Sequence, residues 1–471
     1  MSNNNQVLGI PQRVPGTVAR LYDCIGVGFG PANIALAIAL EERGLLQNTV
    51  FLEKAAGADW NPEMLMAGSD IQHNPLRDFV TPRDPTSRYG FLSYLKHKER
   101  LFQYLNLDAP FPPRSEYAEY VKWVAQQFES SVRYSNAVAK LEIISNNDVP
   151  VYRITTSNGS VYLSKTVSFA PGRSPNIPPL YQAHMGERMT HLTRYNTSIK
   201  KWIKDGNVNS VAVIGASQSA AEIILDIHGQ TDDMRVCCIS RSFAFKLKDT
   251  SPFTEKIYEP EFVDYFYNAK LEKQKALRTE LFRSNYCSAD HDVIAGLQML
   301  LYEQSVLNKN RVEVRNNVSV DRLSRTSDGG YKFDISDKYS GEKDALEFDA
   351  VILATGFLNY GTGDGQELLP EMLRLIAGHC KKRKDGTLCL TRDFALEPAN
   401  KNDNCSDVGG FHLNGVCESS HGFGDAGSFS LLSVRSSSIA SSIESHLKKI
   451  DKSALNSTFT EPQMAKEVVN V

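Results

Sequence analysis

The stretch LYDCIGVGFGP, Leu21–Pro31, is the part of the sequence that decides the fold. It begins as a short apolar strand, turns through Gly26, Gly28 and Gly30, and continues as a helical pattern to about Arg43. Glycines between a strand and a helix let backbone N–H groups approach a pyrophosphate at the N-terminus of the helix. The stretch therefore predicts the first turn of a dinucleotide-binding fold.

An acidic residue follows at the distance that such a site requires. The next apolar run, Val50–Glu53, ends on Glu53, whose carboxylate suits ribose hydroxyls. Pro31, at the start of the helix, belongs to the same predicted site. An ordinary strand-to-helix turn does not require strand, glycines, helix and acid in this order, so we interpret the unit as a dinucleotide site.

A second unit of the same kind begins at Ser210–Ile214. Gly215 follows this apolar strand, and Ser217, Gln218 and Ser219 lead into another helical pattern. The second glycine of the motif is missing, so this turn alone leaves a dinucleotide site and an ordinary turn both open.

The end of the next strand indicates which nicotinamide cofactor the second unit binds. Val236–Ile239 is followed by Ser240-Arg241-Ser242, without an acidic residue. A basic residue at this position suits a 2′-phosphate, which favours NADP over NAD. The alternative that stays open is that Arg241 is only a solvated charge at a strand end.

Two further strands complete a pattern of paired nucleotide sites. Val167–Gly172 and Val351–Phe357 contain small residues and a glycine where the strand ends, so the chain can pass close to a cofactor there. Two dinucleotides on one chain imply electron transfer between a flavin and a nicotinamide.

The alternation of strands and helices predicts an α/β protein with two Rossmann-like dinucleotide-binding domains, for FAD and NADPH, and a smaller substrate-binding lobe. The expected parts are the first part of an FAD-binding domain at 1–195, an NADPH-binding domain at 196–345 with a helical insertion at about 255–300, completion of the FAD domain and the substrate pocket at 346–450, and a flexible tail at 451–471.

Composition argues against several classes of partner. The 471 residues are 41% hydrophobic and 23% charged, with a formal net charge of −3, and nothing among them requires nucleic acid. No stretch approaches the ~18 apolar residues that a membrane span needs, and the N-terminus lacks the apolar core of a signal peptide. No CxxC pair occurs, so we expect a cytoplasmic protein with reduced thiols and no metal site.

Several longer motifs resemble those of a known family, the microbial N-hydroxylating flavin monooxygenases, typified by the ornithine and lysine N-monooxygenases of siderophore biosynthesis. The likeness covers nearly the whole chain, and its most specific parts are GVGFGPANIALAIAL, FLEKAAGADWNPEML, RDPTSRYGFLSYL, SPF at 251–253, ATGF and HGFGD. The resemblance implies that NADPH reduces FAD, that O2 reacts with the reduced flavin, and that one oxygen atom passes to a neutral primary amine. It also implies a homo-oligomer, either a dimer or a tetramer.

The resemblance also implies roles for individual residues at the cofactors. Those expected to hold FAD or lie beside it are Gly26, Gly28, Gly30, Pro31, Glu53, Trp60, Met64, Gln72, Thr355, Gly356 and, in the last loop, His421. Those expected at NADPH are Gly215, Ser217, Gln218 and Ser219, with Arg241 and Lys246 at the adenosine phosphate.

The substrate pocket is where the sequence departs from the family. Arg77 replaces the lysine that helps to bind the substrate carboxylate in ornithine enzymes, and Glu255 stands where those enzymes have asparagine. Asn285 and Ser430 are retained, and together with Gln72 they are the predicted catalytic residues. A glutamate here repels an α-carboxylate unless Arg77 neutralises it, and it attracts a second ammonium.

These residues leave two substrate classes open. We expect N-hydroxylation of a terminal amine of a small diamine, putrescine or cadaverine, for a hydroxamate siderophore. The alternative is an L-ornithine N5- or L-lysine N6-monooxygenase, which applies if Glu255 pairs with Arg77 or points to solvent. A flavin-binding NADPH sensor without turnover is a third hypothesis. A disulfide reductase is disfavoured because no redox CxxxxC follows the first glycine turn.

Overall fold

The computed structural model describes residues 20–146, 149–399 and 408–452. The strands in these ranges are β1 (Leu21–Val27), β2 (Thr49–Leu52), β3 (Val132–Arg133), β4 (Val138–Asn146), β5 (Val149–Thr156), β6 (Val161–Phe169), β7 (Ser174–Pro175), β8 (Met189–His191), β9 (Ser210–Ile214), β10 (Arg235–Ile239), β11 (Val312–Arg315), β12 (Val318–Arg325), β13 (Tyr331–Asp337), β14 (Lys343–Phe348), β15 (Ala350–Leu353), β16 (Phe357–Tyr360), β17 (Gln366–Glu367) and β18 (Phe411–Leu413). The helices are α1 (Pro31–Glu42), α2 (Phe91–His97), α3 (Leu101–Leu105), α4 (Arg114–Gln126), α5 (Pro179–Gln182), α6 (Tyr195–Asp205), α7 (Gln218–Gln230), α8 (Pro260–Asn268), α9 (Leu271–Glu280), α10 (His291–Val306), α11 (Glu418–His421) and α12 (Leu432–Lys452).

The first domain is built on a seven-stranded sheet in the order β3-β2-β1-β6-β5-β4, with β18 paired to β6. β1 lies parallel to both β2 and β6, so the carboxyl ends of these strands meet at one edge. The helix that follows the first glycine turn, α1, is buried along its whole middle, from Asn33 to Leu40, and packs against α12. A helix that is apolar on all sides needs cover on all sides, which explains why the C-terminal helix returns to this domain.

The second domain contains a five-stranded parallel sheet in the order β11-β10-β9-β15-β8. All five residues of β9 are buried, as expected for a parallel sheet covered on both faces. The two α/β domains predicted from the sequence are confirmed. The predicted bounds of 196–345 leave out β8 and β15, because their long-range pairing in this sheet leaves no local signal in the sequence.

The predicted helical insertion at about 255–300 contains α8, α9 and the first part of α10. Of the predicted tail at 451–471, the first two positions end α12 and the rest lies outside the described residues. None of the helices in the described ranges combines the length and the apolar character needed to cross a bilayer.

Candidate active site

A cavity of about 1980 Å³ lies at the carboxyl ends of the parallel strands of the two sheets. Its wall is made by the residues that follow β1, β2 and β6 in the first sheet and β9, β10 and β15 in the second. Ligands of open α/β sheets bind at this edge of the strands. The volume exceeds the ~300–1,000 Å³ of a single small-molecule site, so the cavity has room for more than one bound molecule.

The first glycine turn is shaped for a close backbone approach. Gly28 has a φ of +83°, and a Cβ built on it would lie 2.4 Å from the carbonyl oxygen of Ala170. Gly30 ends the turn as the residue before α1, and Gly30 and Pro31 both line the cavity. The N-terminus of α1 therefore lies at the cavity wall, a position that suits a pyrophosphate.

The Glu53 carboxylate accepts hydrogen bonds from this turn and from the residues after β2. One carboxylate oxygen accepts the Phe29 N–H at 2.6 Å, and the other accepts the Ala55 N–H at 2.8 Å. Each oxygen keeps a lone pair, because a carboxylate can accept about four hydrogen bonds. Glu53 can therefore hold the turn and still accept from ribose hydroxyls at the cavity wall.

A buried polar network that the sequence analysis missed supports the same turn from the C-terminal segment. The Asn33 side chain donates to the Gly28 carbonyl at 2.7 Å, and Asn414 donates to Asn33 at 3.2 Å. Arg435 donates to Asn414 at 3.0 Å and to the Asp425 carboxylate at 2.9 Å. Asn33 was a usable signal, because a polar residue in an apolar helix must find a partner.

The second turn repeats the backbone requirement of the first. Gly215 has a φ of +143°, and a Cβ on it would lie 2.5 Å from the carbonyl oxygen of Ala354. Ser217 precedes α7, and the Gln218 amide donates to Glu222 at 2.8 Å while accepting the Asp290 N–H at 2.8 Å. These bonds fix the turn against the segment that leads into α10.

The cavity beyond β10 is basic. Arg241 and Lys246 both line it, and both side chains belong to exposed residues. Lys338, a third cation on this wall, donates to the Arg241 carbonyl at 3.2 Å. Cations without an acidic residue at the strand end suit a 2′-phosphate, so this part of the cavity fits NADPH.

A partly buried ion pair lies in another part of the wall. Arg77 Nη1 is 2.8 Å from Glu255 Oε2, with 32% and 27% of the side chains exposed, and 3.5 Å from Ser430 Oγ. The Arg77 guanidinium also lies over the ring of Tyr258, 5.4 Å from its centroid. Asn285 lines the same cavity. The site therefore presents one fixed positive and one fixed negative group.

Gln72 lines the cavity in a left-handed conformation, with a φ of 61°, which is uncommon for residues other than glycine. Its N–H donates to Asp70 at 3.2 Å, and the Lys248 ammonium lies 3.5 Å from its carbonyl oxygen. Burial, followed by the negative charges of Asp292 and Asp290, raises the pKa of Asp70 to about 6. Contacts from both domains thus fix the position of Gln72.

His73, the next residue, is a neutral part of the wall. Burial lowers its pKa to about 4, and its Nδ1 lies 2.8 Å from the Ile71 carbonyl oxygen. The ring stacks on Phe429, with the centroids 5.5 Å apart. An imidazole with this pKa stays unprotonated at neutral pH.

The structure brings most of the predicted site residues to this one cavity. The predicted residues that line it are Gly28, Gly30, Pro31, Glu53, Trp60, Met64, Gln72, Arg77, Gly215, Ser217, Gln218, Ser219, Arg241, Lys246, Glu255, Asn285, Thr355, Gly356 and Ser430.

Two predicted residues lie elsewhere. Gly26 faces Phe51, whose ring a Cβ would meet at 2.2 Å, so this glycine makes room for packing and does not line the cavity. His421 is buried at the end of α11 and stacks on Phe394, with the ring centroids 4.1 Å apart. It does not line the cavity, which corrects the prediction that it lies beside the flavin. The physical reason is that α11 turns the imidazole into an aromatic pocket, where burial lowers its pKa to about 3.

Further polar residues of the wall were not predicted. Arg173 donates to Asn359 at 3.2 Å, and Arg278 pairs with the buried Glu418 at 3.1 Å. Their partners come from distant segments of the chain, so only the hydrophilic character of each segment was visible in the sequence.

Comparison with known proteins matches this arrangement. The profile of the L-lysine 6-monooxygenase/L-ornithine 5-monooxygenase family matches residues 20–359. The chain is 32% identical to an L-ornithine N(5)-monooxygenase of Pseudomonas aeruginosa, over 91% of this chain and 95% of that protein.

Solved structures of N-hydroxylating monooxygenases share the fold of this chain. An ornithine N-hydroxylase from Kutzneria, in a structure with reduced FAD, NADP⁺ and L-ornithine, is 27% identical and superposes with a TM-score of 0.81 over 91% of this chain and 100% of that one. A cadaverine monooxygenase from Erwinia amylovora, at 23% identity and a TM-score of 0.77 over 90% of this chain and 95% of that one, shares the fold. The chain belongs to the L-lysine 6-monooxygenase/L-ornithine 5-monooxygenase family of NADPH-dependent, N-hydroxylating flavin oxidoreductases.

Proposed function

We propose that this chain uses FAD, NADPH and O2 to hydroxylate the side-chain amine of L-ornithine. The observation that carries the choice of substrate is the ion pair between Arg77 and Glu255, 2.8 Å apart on the cavity wall. An α-amino acid ends in one carboxylate and one ammonium. Arg77 matches the first group and Glu255 the second.

A charge pair discriminates between zwitterions and diamines. The pair is neutral overall, so it repels neither group of a zwitterion, and each charged group of the substrate gains a charge-assisted hydrogen bond. A diamine carries only a second ammonium, which Glu255 attracts and Arg77 repels. Binding a diamine would therefore leave the partly buried guanidinium without a compensating partner.

The relatives favour the same choice. The family member from Pseudomonas aeruginosa is named as an ornithine enzyme, whereas the likeness to the cadaverine enzyme, at 23% identity, concerns the fold alone. The pairing of Arg77 with Glu255 is also the arrangement under which the sequence analysis kept an amino acid as substrate. We therefore prefer the ornithine alternative to the diamine that the sequence alone favoured.

The residues of the two turns have separate tasks in this proposal. When bound, FAD reduced by NADPH activates O2 and supplies the oxygen atom that reaches the amine. The α1 N-terminus holds the FAD pyrophosphate and Glu53 its ribose. Arg241 and Lys246 hold the 2′-phosphate of NADPH, and the Gly215 turn holds its pyrophosphate.

The reacting amine must be neutral, although a free aliphatic amine has a pKa near ~10.4. Burial in the cavity disfavours the charged form of the amine, because desolvation lowers the pKa of an ammonium. Asn285 and Ser430 line the cavity and offer neutral dipoles. The neutral His73 does not favour the charged amine either, so the proton leaves to solvent as the amine is desolvated.

An amine panel scored by hydroxylamine formation tests the substrate. Ornithine, lysine, putrescine and cadaverine are compared, and we expect ornithine to have the highest kcat/KM. Counting hydroxylamine rather than NADPH consumption avoids errors from uncoupled turnover. Strong hydroxylation of putrescine or cadaverine with inert ornithine would overturn the choice of substrate. NADPH oxidation without an oxygenated product from any amine would instead support the sensor hypothesis.

Two variants test the ion pair itself. Arg77→Met should raise the ornithine KM about 100-fold, because a charge-assisted hydrogen bond contributes ~1.5–3 kcal/mol, while the diamines should bind no worse. Glu255→Gln should weaken ornithine less, because the α-ammonium keeps a neutral acceptor. Arg43→Met is the matched control, because Arg43 pairs with Glu444 at 2.9 Å with similar exposure and away from the cavity wall. Unchanged ornithine kinetics in Arg77→Met would contradict the proposal.

The product also suits a further use. An N-hydroxylated ornithine becomes a metal-chelating hydroxamate once it is acylated, so we propose that the chain serves hydroxamate siderophore assembly. A cytoplasmic location and a homo-oligomeric state stay predictions.

A further inference from the structure

A buried ion pair joins the two dinucleotide-binding domains at the cavity wall. Arg114 is the first residue of α4 in the first domain, and Glu222 lies in α7 of the second. Arg114 Nη2 donates to Glu222 Oε1 at 2.7 Å and Nη1 donates to Oε2 at 3.0 Å, with 10% and 7% of the side chains exposed. Two parallel hydrogen bonds between a guanidinium and a carboxylate fix the angle between these groups as well as their distance. The pair therefore holds α4 and α7 in one relative orientation.

At the first-domain end, Arg114 also holds the segment from Met64 to Gln72, two residues that the family resemblance places beside the flavin. Its Nη1 donates to the Met64 carbonyl at 2.9 Å, and its Nε donates to the Asp70 carbonyl at 3.0 Å. The backbone N–H of Arg114 donates to the Ser69 carbonyl at 2.8 Å. A guanidinium presents its donors in one rigid plane, so the group that binds the carboxylate in α7 also fixes this segment.

At the second-domain end, Glu222 holds the turn that is expected to bind NADPH. Glu222 lies four residues after Gln218 in α7, and its Oε1 accepts the Gln218 side-chain amide at 2.8 Å. The Gln218 backbone N–H donates to the Ser288 carbonyl at 3.0 Å, and the Gln218 side-chain oxygen accepts the Asp290 N–H at 2.8 Å. A continuous set of hydrogen bonds therefore leads from the segment expected at the flavin to the turn expected at the nicotinamide cofactor.

We propose that Arg114 and Glu222 are positioning residues that fix the nicotinamide site against the flavin site for the reduction of FAD. In this reaction a hydride, with its two electrons, passes from NADPH to FAD and leaves NADP⁺ and reduced FAD. Reacting atoms must come within ~3–3.5 Å, and a displacement of about 1 Å costs about 100-fold in rate. The proposal rests on the placement of NADPH at the Gly215 turn and not on which amine is the substrate.

Burial explains why this ion pair acts on position more than on cofactor binding. Desolvation of the two charges offsets much of their attraction, but any arrangement that separates them leaves a buried charge without its partner. A displacement of α7 relative to α4 is therefore disfavoured. Arg241 and Lys246, the cations expected at the 2′-phosphate, lie in the segment after β10, so loss of the pair should leave that phosphate contact intact.

Stopped-flow reduction of the full-length, FAD-loaded chain over a range of NADPH concentrations separates positioning from binding. Glu222→Gln replaces the carboxylate with a neutral amide of the same size. It should lower the limiting rate of flavin reduction about 10–100-fold and change the apparent NADPH Kd by less than about threefold. Asp23→Asn is the matched control, because Asp23 pairs with Lys165 at 2.9 Å within the first domain and away from the cavity wall. This control should be reduced at the parent rate.

Further variants test whether the two residues act as one unit. Arg114→Met should also slow reduction, and the double variant Arg114→Met/Glu222→Gln should be no slower than the slower single variant, because either change alone breaks the pair. Arg114→Lys keeps the buried charge, so it should fold even where the neutral variants do not. A lysine cannot bind the carboxylate and both carbonyls with one rigid group, and this variant should recover only part of the rate.

Hydrogen exchange of the FAD-loaded chain without NADPH gives a readout that does not depend on turnover. Backbone amides of 64–72 and 216–222 should exchange faster in Glu222→Gln than in the parent, and no faster in Asp23→Asn. The proposal is overturned if Glu222→Gln keeps the parent limiting rate, if its loss lies entirely in the NADPH Kd, or if Asp23→Asn slows reduction equally. Losses of the single variants that add in the double variant would also overturn it. A misplaced NADPH site would show instead in Gly215→Val, which would then be reduced at the parent rate.

Discussion

The two glycine turns of this chain share a backbone requirement and differ in the charge beside them. Gly28 and Gly215 both have positive φ, and a Cβ on either would lie within about 2.5 Å of a carbonyl oxygen. Those oxygens belong to Ala170 and Ala354, the residues directly after β6 and β15. Each turn therefore passes so close to the end of a neighbouring strand that a side chain has no space there.

The difference lies one strand further along. The turn of the first domain has the carboxylate of Glu53 hydrogen-bonded to it, whereas the second has Arg241 and Lys246 on the cavity wall near it. A carboxylate suits ribose hydroxyls and cations suit a 2′-phosphate. The comparison teaches that backbone shape makes a dinucleotide site and that the nearby charge selects the dinucleotide.

The largest effect should come from filling the first turn. We expect Gly28→Val to be isolated without flavin, because a β-branched side chain is incompatible with a φ of +83° and with the Ala170 oxygen at 2.4 Å. The measurement is the flavin absorbance of the purified protein relative to its protein absorbance. Gly378→Ala is the matched control, because a Cβ at Gly378 meets nothing within 4 Å and Gly378 does not line the cavity. Full flavin content in Gly28→Val would show that the first turn does not need a glycine to bind FAD.

A side chain in the second turn should impair the use of NADPH without affecting the binding of FAD. Gly215→Val should keep its flavin but lose NADPH-dependent flavin reduction by at least about 100-fold, since strain and a clash of this kind cost ~3 kcal/mol or more. Stopped-flow reduction by NADPH measures the loss. Gly229→Ala, in α7 with open space at its Cβ, should reduce normally. If Gly215→Val loses flavin as well, the two turns are not independent sites.

The local parts of this comparison could be predicted from the sequence. The glycine turns, the strands around them and Glu53 lie within short segments whose order carries the signal. Arg241 could be predicted too, because strand ends are visible as the last residue of an apolar run.

The long-range parts could not. Asn414 reaches Asn33 across nearly four hundred residues, with a sequence separation of 381, and β15 joins the sheet of β9 through pairing that leaves no periodicity of its own. His421 belongs to a motif of the family, yet its side chain turns toward Phe394. A motif identifies a segment of chain, whereas the direction of a side chain depends on what packs against it.

A smaller effect should follow from the charge that selects NADPH. Arg241→Ser should raise the KM for NADPH about 10–100-fold, because a hydrogen bond to a charged group contributes ~1.5–3 kcal/mol, and should leave the KM for NADH unchanged. Arg235→Ser is the matched control, because Arg235 lies at the opposite end of the same strand, β10. An equal rise in the KM for NADPH and NADH would mean that Arg241 does not bind the 2′-phosphate.

The smallest effect concerns the junction between the two domains. Burial and then Asp292 and Asp290 raise the pKa of Asp70 to about 6, above the ~3.9 of an unfolded chain. Between these values the folded state binds more protons, so Asp70 makes the protein less stable as pH rises from about 4 to about 6. Asp70→Asn removes that penalty and keeps an acceptor for the Gln72 N–H.

The variant should therefore gain thermal stability relative to the parent as pH rises through this window, by less than about 2 kcal/mol because Asp70 is partly solvated. Melting temperatures from pH 4 to pH 7 measure the gain, with Asp84→Asn as a control of opposite sign. Hydrogen bonds from Thr86 lower the pKa of Asp84, so that variant should lose relative stability as pH rises. A constant difference between Asp70→Asn and its parent across the window would show that neither burial nor the negative charges of Asp292 and Asp290 raise the pKa of Asp70 in the folded protein.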